Sequence, residues 1–270
     1  MPFDLAVFDL DGTVLGHDLV ITDRVLEVFQ RLRDVGTRLV VATGRHYESA
    51  REHALKLGFE DRDPLICYGG SMVRRMNGET LMHRTLPRDL SLEALEWASE
   101  KDLNARIFLD GRVVSAPDTA ALLDNLRHPE RFDVIPADSP VEWLRESDVH
   151  PTKLVIVDHP DNVPGWLDEA REAFEGRLFV TRSLPHYVEI SGYEGTKSRA
   201  LSFMCDRWKV DPARTVAFGD ADNDADMLSF VGHGVSVGGK TAAVRRAADA
   251  VTLPVGEDGV PRYIEKLLGD

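Results

Sequence analysis

Short apolar runs alternate with helical segments in the first third of the chain. Residues 5–8, 39–42 and 65–68 form continuous apolar runs, which are typical of strands that are buried on both faces. Apolar residues recur at helical spacing over 23–34, and a second helix is predicted from about 46 to 57. Strands that alternate with helices in this way predict a parallel sheet with right-handed crossovers.

The pattern changes after about residue 83. Asp110-Gly111 separates two short apolar runs and is typical of a two-residue hairpin turn. The segments predicted in this part are helices at 90–101, 141–146 and 163–174 and strands at 105–109, 113–115, 153–157, 178–181 and 187–190. Hairpins mixed with helices predict a separate α+β module of about a hundred residues, a common domain size.

The parallel-sheet pattern resumes after this module. The segments predicted here are helices at 195–208, 224–230, 242–248 and 261–268 and strands at 215–218 and 234–237. We therefore predict an α/β protein in which a core with a parallel sheet is interrupted by an insertion. Its predicted divisions are a first core segment at 1–83, the inserted module at 84–188 and a second core segment at 189–270.

Polar side chains that could take part in catalysis or ligand binding lie at the ends of the predicted core strands or at the start of a helix. They are Asp9, Asp11, Thr43, Lys197, Asp220 and Asp224. Because the carboxyl ends of parallel strands share one edge of a sheet, we expect these groups to converge there. A helix start such as that at Lys197 also favours an anion. The acids suit a hard cation with oxygen ligands, and Mg²⁺ is the predicted ion.

This set of groups suits phosphoryl transfer. A carboxylate can attack phosphorus and form an aspartyl-phosphate. A metal ion and cationic or N–H donors can neutralise the opposing negative charges. A second carboxylate can protonate the leaving alcohol and then activate water.

Simpler interpretations exist for each residue taken alone. Lys197 alone is typical of a surface lysine, and Thr43 alone of a strand-end cap. An EF-hand loop needs Gly at its sixth position and Glu at its twelfth, and neither loop that starts at Asp9 or Asp220 has them. A receiver domain also combines acids, Thr and Lys, but it has about half this length. The order and number of the groups favour an active site.

Composition narrows the class of protein further. The chain has 270 residues, 43% of them hydrophobic, and a formal net charge of −14. This charge argues against a nucleic-acid or anionic-membrane partner. Cys67 and Cys205 lack the paired spacing of a zinc site. Because no leader and no apolar run of about 18 residues is evident, we expect a cytoplasmic protein. The sequence does not fix the oligomeric state, and a monomer or homodimer is expected.

Four segments resemble the motifs of the haloacid dehalogenase superfamily. They are Phe8-Asp9-Leu10-Asp11-Gly12-Thr13, Thr43-Gly44-Arg45, Gly195-Thr196-Lys197 and Gly219-Asp220-Ala221-Asp222-Asn223-Asp224. The insertion between the second and third motifs resembles that of the Cof-type sugar-phosphatase branch. The resemblance implies a Rossmann-like core with a mobile α/β cap of type IIB. It also implies a Mg²⁺-dependent phosphatase that hydrolyses a small phosphomonoester, such as a sugar phosphate, through an aspartyl-phosphate.

The resemblance implies a role for each residue that matches a motif. Asp9 would be the nucleophile and Asp11 the general acid/base. Thr43 and Lys197 would hold the transferring phosphoryl group. Asp9, the backbone carbonyl of Asp11, and Asp220 would bind Mg²⁺.

Further residues are predicted to support this machinery or to contact substrate. Asp224 would support the metal ligands, Asn223 would orient Lys197 or the phosphate, and Gly44 would lie near the phosphate. Arg45 is a predicted substrate or cap contact. The candidates for substrate contact in the inserted module are Arg182, Ser183 and His186, with His150 and Lys153 as further candidates.

Two loops depart from the superfamily pattern. Tyr68-Gly69-Gly70 stands where an Asn-Gly pair is usual, and Val237-Gly238-Gly239-Lys240 stands where Met-Gly-Asn-Ala is usual. Because the motif residues are all present, we expect these departures to affect the choice of substrate more than activity. A phosphomutase and a non-catalytic phosphate-binding regulatory protein remain as alternative functions.

Overall fold

The computed structural model describes residues 3–16, 18–117 and 133–269. Their strands are, in chain order, β1 (Leu5–Phe8), β2 (Arg38–Ala42), β3 (Pro64–Cys67), β4 (Met72–Arg75), β5 (Thr80–His83), β6 (Asn104–Phe108), β7 (Arg112–Ser115), β8 (Asp133–Pro136), β9 (Lys153–Val157), β10 (Phe179–Thr181), β11 (Tyr187–Ser191), β12 (Thr215–Gly219), β13 (His233–Val237) and β14 (Ala250–Thr252). Their α-helices are α1 (Asp23–Asp34), α2 (Tyr47–Lys56), α3 (Arg88–Ser99), α4 (Pro140–Glu146), α5 (Val163–Ala173), α6 (Lys197–Trp208), α7 (Ala225–Phe230), α8 (Ala242–Ala247) and α9 (Gly259–Leu268). The helices and strands predicted from the sequence each have a counterpart here.

Strand β1 lies near the centre of a sheet that contains strands from both the first and the last part of the chain. Its strand order is β14-β13-β12-β1-β2-β3-β4-β5. The strands from β14 to β3 are parallel, and β4 and β5 turn back antiparallel. Leu5 of β1 stands opposite Thr215 of β12 and Arg38 of β2. The predicted parallel sheet is confirmed.

Helices cover both faces of this parallel sheet. Ala6 and Phe8 of β1 belong to an apolar cluster that includes residues of α1, α2 and α9. Leu5 and Val7 belong to a second cluster, with residues of α6, α7 and α8. Because every residue of β1 is buried, its sequence is a continuous apolar run and does not alternate. The α/β fold class is confirmed.

The inserted part of the chain forms a second sheet, with the order β10-β11-β9-β6-β7-β8. Its two faces have different neighbours. Leu154 and Ile156 of β9 pack in a cluster that includes residues of α3, α4 and α5. Val155 and Val157 join the cluster that also contains Phe8 of the core. The face of the second sheet that carries Val155 therefore packs toward the core.

Four short strands have no counterpart among the predicted segments. They are β4, β5, β8 and β14, each of three or four residues, and all include partly exposed positions. Runs this short give neither a continuous apolar stretch nor a sustained alternation. The predicted division at 1–83, 84–188 and 189–270 stays a proposal, and β11 crosses its second boundary.

Within the described ranges, no helix has both the length and the apolar character needed to cross a bilayer. The predicted compartment and the predicted monomer or homodimer stay predictions.

Candidate active site

The ends of β1, β2 and β12 bring three motifs to one edge of the core sheet. Asp9 directly follows β1 and Asp220 directly follows β12. The Asp9 N–H donates to the Phe218 carbonyl of β12 (3.0 Å), so the two strand ends are joined by a hydrogen bond. Thr43 follows β2, is buried, and donates its N–H to the Ile66 carbonyl of β3 (2.9 Å). The predicted convergence of these strand ends is present.

Lys197, the first residue of α6, links two of the acids. Its buried ammonium donates to Asp9 Oδ1 at 2.7 Å and to Asp224 Oδ1 at 2.6 Å. Burial favours a lower pKa for Lys197, but Asp224 and Asp9 outweigh burial and raise that pKa above its usual value. Lys197 therefore stays positively charged between two carboxylates.

The start of α6 is positioned by Gly70, in the turn after β3. Gly70 has a φ of +114°, and a Cβ there would lie 2.1 Å from the Thr196 carbonyl carbon. Only glycine allows this approach, which forms a bridge between the two backbones. Thr196 then caps α6 by accepting the Arg199 N–H (3.4 Å). The Tyr68-Gly69-Gly70 turn thus helps to position Lys197.

Tyr68 joins the same turn to the second sheet. Its buried hydroxyl accepts the N–H of Gly111 (2.8 Å), in the turn between β6 and β7. Arg74 donates to Asp110 of that turn (3.1 Å). The hairpin predicted at Asp110-Gly111 is confirmed, and its turn docks on the core.

Three buried carboxylates form an acidic cluster beside Lys197. Asp9, Asp220 and Asp224 each offer an oxygen, and these atoms lie within 4.8 Å of one another. Asp224 Oδ2 accepts the N–H groups of Asp220 and Ala221, each at 3.0 Å, while Oδ1 faces Lys197. Because the chain itself engages both oxygens of Asp224, this residue is suited to a supporting position.

The surroundings of the acidic cluster do not fully stabilise the negative charge of its carboxylates. Burial raises the pKa of Asp9 well above its usual value, against the lowering effect of Lys197. Burial, with the charge of Asp224, raises the pKa of Asp220 to about 6. Raised carboxyl pKa values indicate a site that would be stabilised by additional positive charge.

Asp11 stands at the outer side of this edge and is bound by Arg45. The Arg45 guanidinium donates to both carboxylate oxygens of Asp11, at 2.7 and 2.6 Å. Its third nitrogen donates to Ser49 (2.7 Å). Arg45 thus contacts the residue that is predicted to be the general acid/base, and its role as a substrate or cap contact stays a prediction.

A buried ion pair on the second sheet reaches the loop after β2. Lys153 of β9 donates to Glu189 of β11 (3.0 Å) and to the Gly44 carbonyl (3.1 Å). Ser183 donates to the same carboxylate of Glu189. Both charged side chains are almost fully buried. Glu189 was missed from the sequence, although a lone acid within the apolar run 187–190 was the available signal.

Of the remaining predicted residues, Arg182 and Asn223 lie beside residues of the core, and His186 packs within the inserted part. Arg182 lies 3.7 Å from Asp222, which precedes the predicted Asn223. Asn223 is buried and faces Gly44, where a Cβ would lie 3.9 Å from its amide nitrogen. His186, in the turn before β11, packs its ring against Tyr187 at 4.4 Å between ring centroids. Burial lowers its pKa.

Replacing Glu189 with Gln is expected to lower the free energy of unfolding by about 2–3 kcal/mol, because it leaves the buried Lys153 ammonium without its carboxylate. Urea unfolding measures this. Glu169→Gln removes the exposed partner of Lys101, on α5 of the inserted part, and should cost about 0.5 kcal/mol or less. Adding Lys153→Met to Glu189→Gln should restore part of the loss. Equal effects at Glu189 and Glu169 would contradict the interpretation.

His46 gives the protein an expected sensitivity to acid. Burial, then the charges of Arg45 and Lys153, lowers its pKa from 6.5 to about 4. A histidine with a depressed pKa stabilises the fold above pH 6.5, and that stability is lost as pH falls through the folded-state value. We expect up to about 3 kcal/mol of stability to be lost this way toward pH 4.

His46→Gln should therefore flatten the pH dependence of the unfolding free energy between pH 7 and pH 4.5. Urea unfolding at a series of pH values, compared with wild type, isolates the contribution of His46 from other titrating groups. His159→Gln, at an exposed position, serves as the control. An unchanged slope in the His46 variant would count against the depressed pKa.

One protein family matches nearly the whole chain. The family model of haloacid dehalogenase-like hydrolases matches residues 6–264. The 5-amino-6-(5-phospho-D-ribitylamino)uracil phosphatase YitU of Bacillus subtilis (strain 168) is 28% identical over 278 residues. That alignment covers 97% of this chain and 96% of the relative.

Solved structures share the fold over both sheets. A haloacid dehalogenase-like hydrolase from B. subtilis aligns with a TM-score of 0.84 at 22% identity, covering 97% of this chain and 99% of its own. A sugar phosphatase of HAD subclass IIB aligns with a TM-score of 0.80 at 18% identity, covering 98% of each chain. The arrangement of a core with an inserted α/β module is therefore shared with subclass IIB structures.

Proposed function

Since this chain belongs to the haloacid dehalogenase-like hydrolase family, we propose that it cleaves a small phosphomonoester in two steps, through an aspartyl-phosphate on Asp9 and with Mg²⁺ bound beside it. The chain is a phosphatase of this family, and it acts on small phosphorylated metabolites. The metal, the covalent intermediate and the residue roles are our proposal.

The contact that carries this proposal is the ion pair between Lys197 and Asp9, at 2.7 Å. It brings a nucleophile candidate and a permanent cation, 188 residues apart in sequence, to one buried position. The same ammonium also donates to Asp224, so two carboxylates hold it in position. A charge held in place before the reaction is what phosphoryl transfer requires of a protein.

The acidic cluster fits a divalent cation. Its donors are carboxylate oxygens, which are the ligands that Mg²⁺ prefers. We assign Asp9, Asp220 and the backbone carbonyl of Asp11 as ligands and Asp224 as their support, because both oxygens of Asp224 are engaged by the chain. When bound, the ion would neutralise charge between the nucleophile and the phosphoryl group.

In the first step, an Asp9 oxygen attacks phosphorus and the bond from phosphorus to the leaving oxygen breaks. Lys197 and the Thr43 region hold the phosphoryl oxygens, while Asp11 gives its proton to the leaving alcohol. In the second step, Asp11 takes a proton from water and the water oxygen attacks phosphorus. The bond between Asp9 and phosphorus then breaks, and orthophosphate leaves.

The contact between Arg45 and Asp11 affects how Asp11 can act as an acid in the first step. Both oxygens of Asp11 accept hydrogen bonds from Arg45, and these bonds favour the charged carboxylate. Asp11 must hold a proton before it can act as an acid, and protonating either oxygen weakens the bond that this oxygen accepts from Arg45. We propose that Arg45 keeps Asp11 oriented between turnovers.

The leaving group would lie between the Gly44 loop and the second sheet. Support comes from Lys153, which reaches the Gly44 carbonyl, and from Arg182, which approaches Asp222. These contacts bring cap residues to the edge where Asp9 lies. Arg182, Ser183 and His186 stay proposed substrate contacts, and cap closure would exclude water from the site.

Phosphate release from a panel of phosphorylated metabolites, with p-nitrophenyl phosphate as the general substrate, tests the proposed function. We expect turnover with Mg²⁺ and none after EDTA. A phosphomutase would isomerise its substrate and release little phosphate. A regulatory protein would turn over nothing in the panel. Either result would replace our proposal with the corresponding alternative.

The covalent intermediate has its own test. Acid quenching during turnover should trap a phosphoenzyme that hydroxylamine cleaves, as expected of an acyl phosphate. Turnover without such a species, in quenches spanning the burst phase, would favour direct attack by water on the phosphomonoester.

A further inference from the structure

Lys240 brings a second positive charge to the acidic cluster. It ends the loop Val237-Gly238-Gly239-Lys240, which departs from the superfamily pattern, and its ammonium bonds Asp220 Oδ2 at 2.5 Å. The Lys240 side chain is 40% exposed, whereas that of Asp220 is 6% exposed. Lys240 therefore reaches from the solvent side onto a buried acid.

The ammonium of Lys240 also lies against the turn after β1. A Cβ on Gly12, which has a φ of +81°, would come within 2.6 Å of Lys240 Nζ and 2.4 Å of Asp220 Oδ2. The ammonium is thus next to the backbone of the Asp11–Gly12 turn. The Asp11 carbonyl and Asp220 are two of the three ligands that we assign to the metal. Lys240 consequently lies beside the proposed cation position.

The two oxygens of Asp220 differ in how easily a cation can reach them. Thr13, which is buried, donates its hydroxyl to Oδ1 at 3.0 Å. Displacing Thr13 would leave a buried hydroxyl without its acceptor, which is unfavourable. Displacing Lys240 from Oδ2 returns its ammonium to water at the end of a flexible side chain. Oδ2 is therefore the atom that a divalent cation would take.

We infer that Lys240 competes with the divalent cation for Asp220 and thereby weakens the metal affinity of this enzyme. The Lys240 ammonium pairs with Asp220 Oδ2, and it would leave this oxygen when the cation binds. This inference rests on the proposed function, because it assumes a metal ion at Asp220.

The physical reason is the repulsion between two cations that share one carboxylate. If Lys240 stays, its charge opposes the incoming ion; if it leaves, its bond to Asp220 is lost. Either event reduces the net free energy of metal binding. Removing the charge without changing the loop should therefore strengthen binding.

Calorimetric titration of MgCl₂ into the EDTA-stripped full chain tests the inference without measuring activity. Lys240→Met is expected to bind Mg²⁺ about tenfold more tightly than wild type. Lys240→Arg keeps the charge and should stay within about threefold of wild type. Lys56→Met removes the lysine of an exposed pair with Glu52 on α2 and is the matched control, with unchanged affinity expected.

The possible outcomes separate the inference from its premise. Equal or weaker binding by Lys240→Met, with wild type binding Mg²⁺ normally, would overturn the competition alone. Absence of binding in both proteins at millimolar Mg²⁺ would overturn the proposed metal site together with the inference. Tighter binding by Lys240→Met and Lys240→Arg alike would also overturn it, since the charge would then be irrelevant.

Discussion

Asp9→Asn is expected to lower kcat by at least about 10⁴-fold, because an amide cannot form the aspartyl-phosphate. The side chain keeps nearly the same shape, so substrate and metal can still approach. The loss should therefore appear in kcat more than in the affinity for substrate. No phosphoenzyme should be trapped from this variant.

The same substitution is expected to leave the fold intact. Burial raises the pKa of Asp9 well above its usual value, which means that its charged form is unfavourable in the metal-free protein. A neutral amide removes that penalty, and Lys197 keeps its second partner, Asp224. The melting temperature without metal should equal that of wild type or exceed it.

Phosphate release and thermal unfolding in EDTA check the two halves of this prediction. Asp168→Asn is the control, since the Asp168 side chain is 83% exposed and lies on α5, away from the acidic cluster in sequence. It should change neither quantity. Turnover by Asp9→Asn near the wild-type rate, with the control intact, would remove Asp9 from the mechanism.

The fold was predictable where burial leaves a strong signal. The runs at 5–8, 39–42 and 215–218 are apolar because their strands have helices on both faces. Partly exposed strands such as β5 and β14 carry no such signal. Their pairing with a neighbouring strand, and not their own composition, makes them strands.

The convergence of the motif residues was predictable, but their partners were not. Parallel strands force Asp9 and Asp220 to one edge, whatever the details of packing. The pairing of Arg45 with Asp11, and of Lys240 with Asp220, depends on loop paths and rotamers that sequence spacing does not fix. Glu189 was missed because the sequence does not show that β9 places Lys153 beside it.

Lys197→Met should reduce both stability and activity. Without its ammonium, buried Asp9 and Asp224 lose the positive charge that joins them, while Lys240 still pairs with Asp220. The expected loss of unfolding free energy is about 3–5 kcal/mol. For a chain of this size, that corresponds to a melting temperature lower by roughly 10 °C. Turnover should fall by about 10²–10³-fold, since the variant lacks the positive charge that would hold the phosphoryl oxygens.

The stability loss in Lys197→Met should depend on pH in a defined direction. Lys197 lowers the pKa of Asp9, so its removal raises further a value that burial has already raised. An acid with a raised folded-state pKa stabilises the fold below its unfolded pKa, and that stability is lost as pH rises through the folded value. The deficit relative to wild type should therefore be smaller at pH 5 than at pH 8.

A double variant separates charge from packing as the cause. Adding Asp224→Asn to Lys197→Met removes one of the opposing carboxylates and should restore part of the melting temperature, with no return of turnover. A purely steric role for Lys197 predicts additive effects: the amide carbonyl oxygen introduced by Asp224→Asn can still accept the N–H groups of Asp220 and Ala221, and removing a negative charge would then restore no stability. Thermal unfolding in EDTA at two pH values, with Lys56→Met as the matched lysine control, distinguishes the two. Additive effects and an unchanged deficit across pH would show that Lys197 does not hold this site together by its charge.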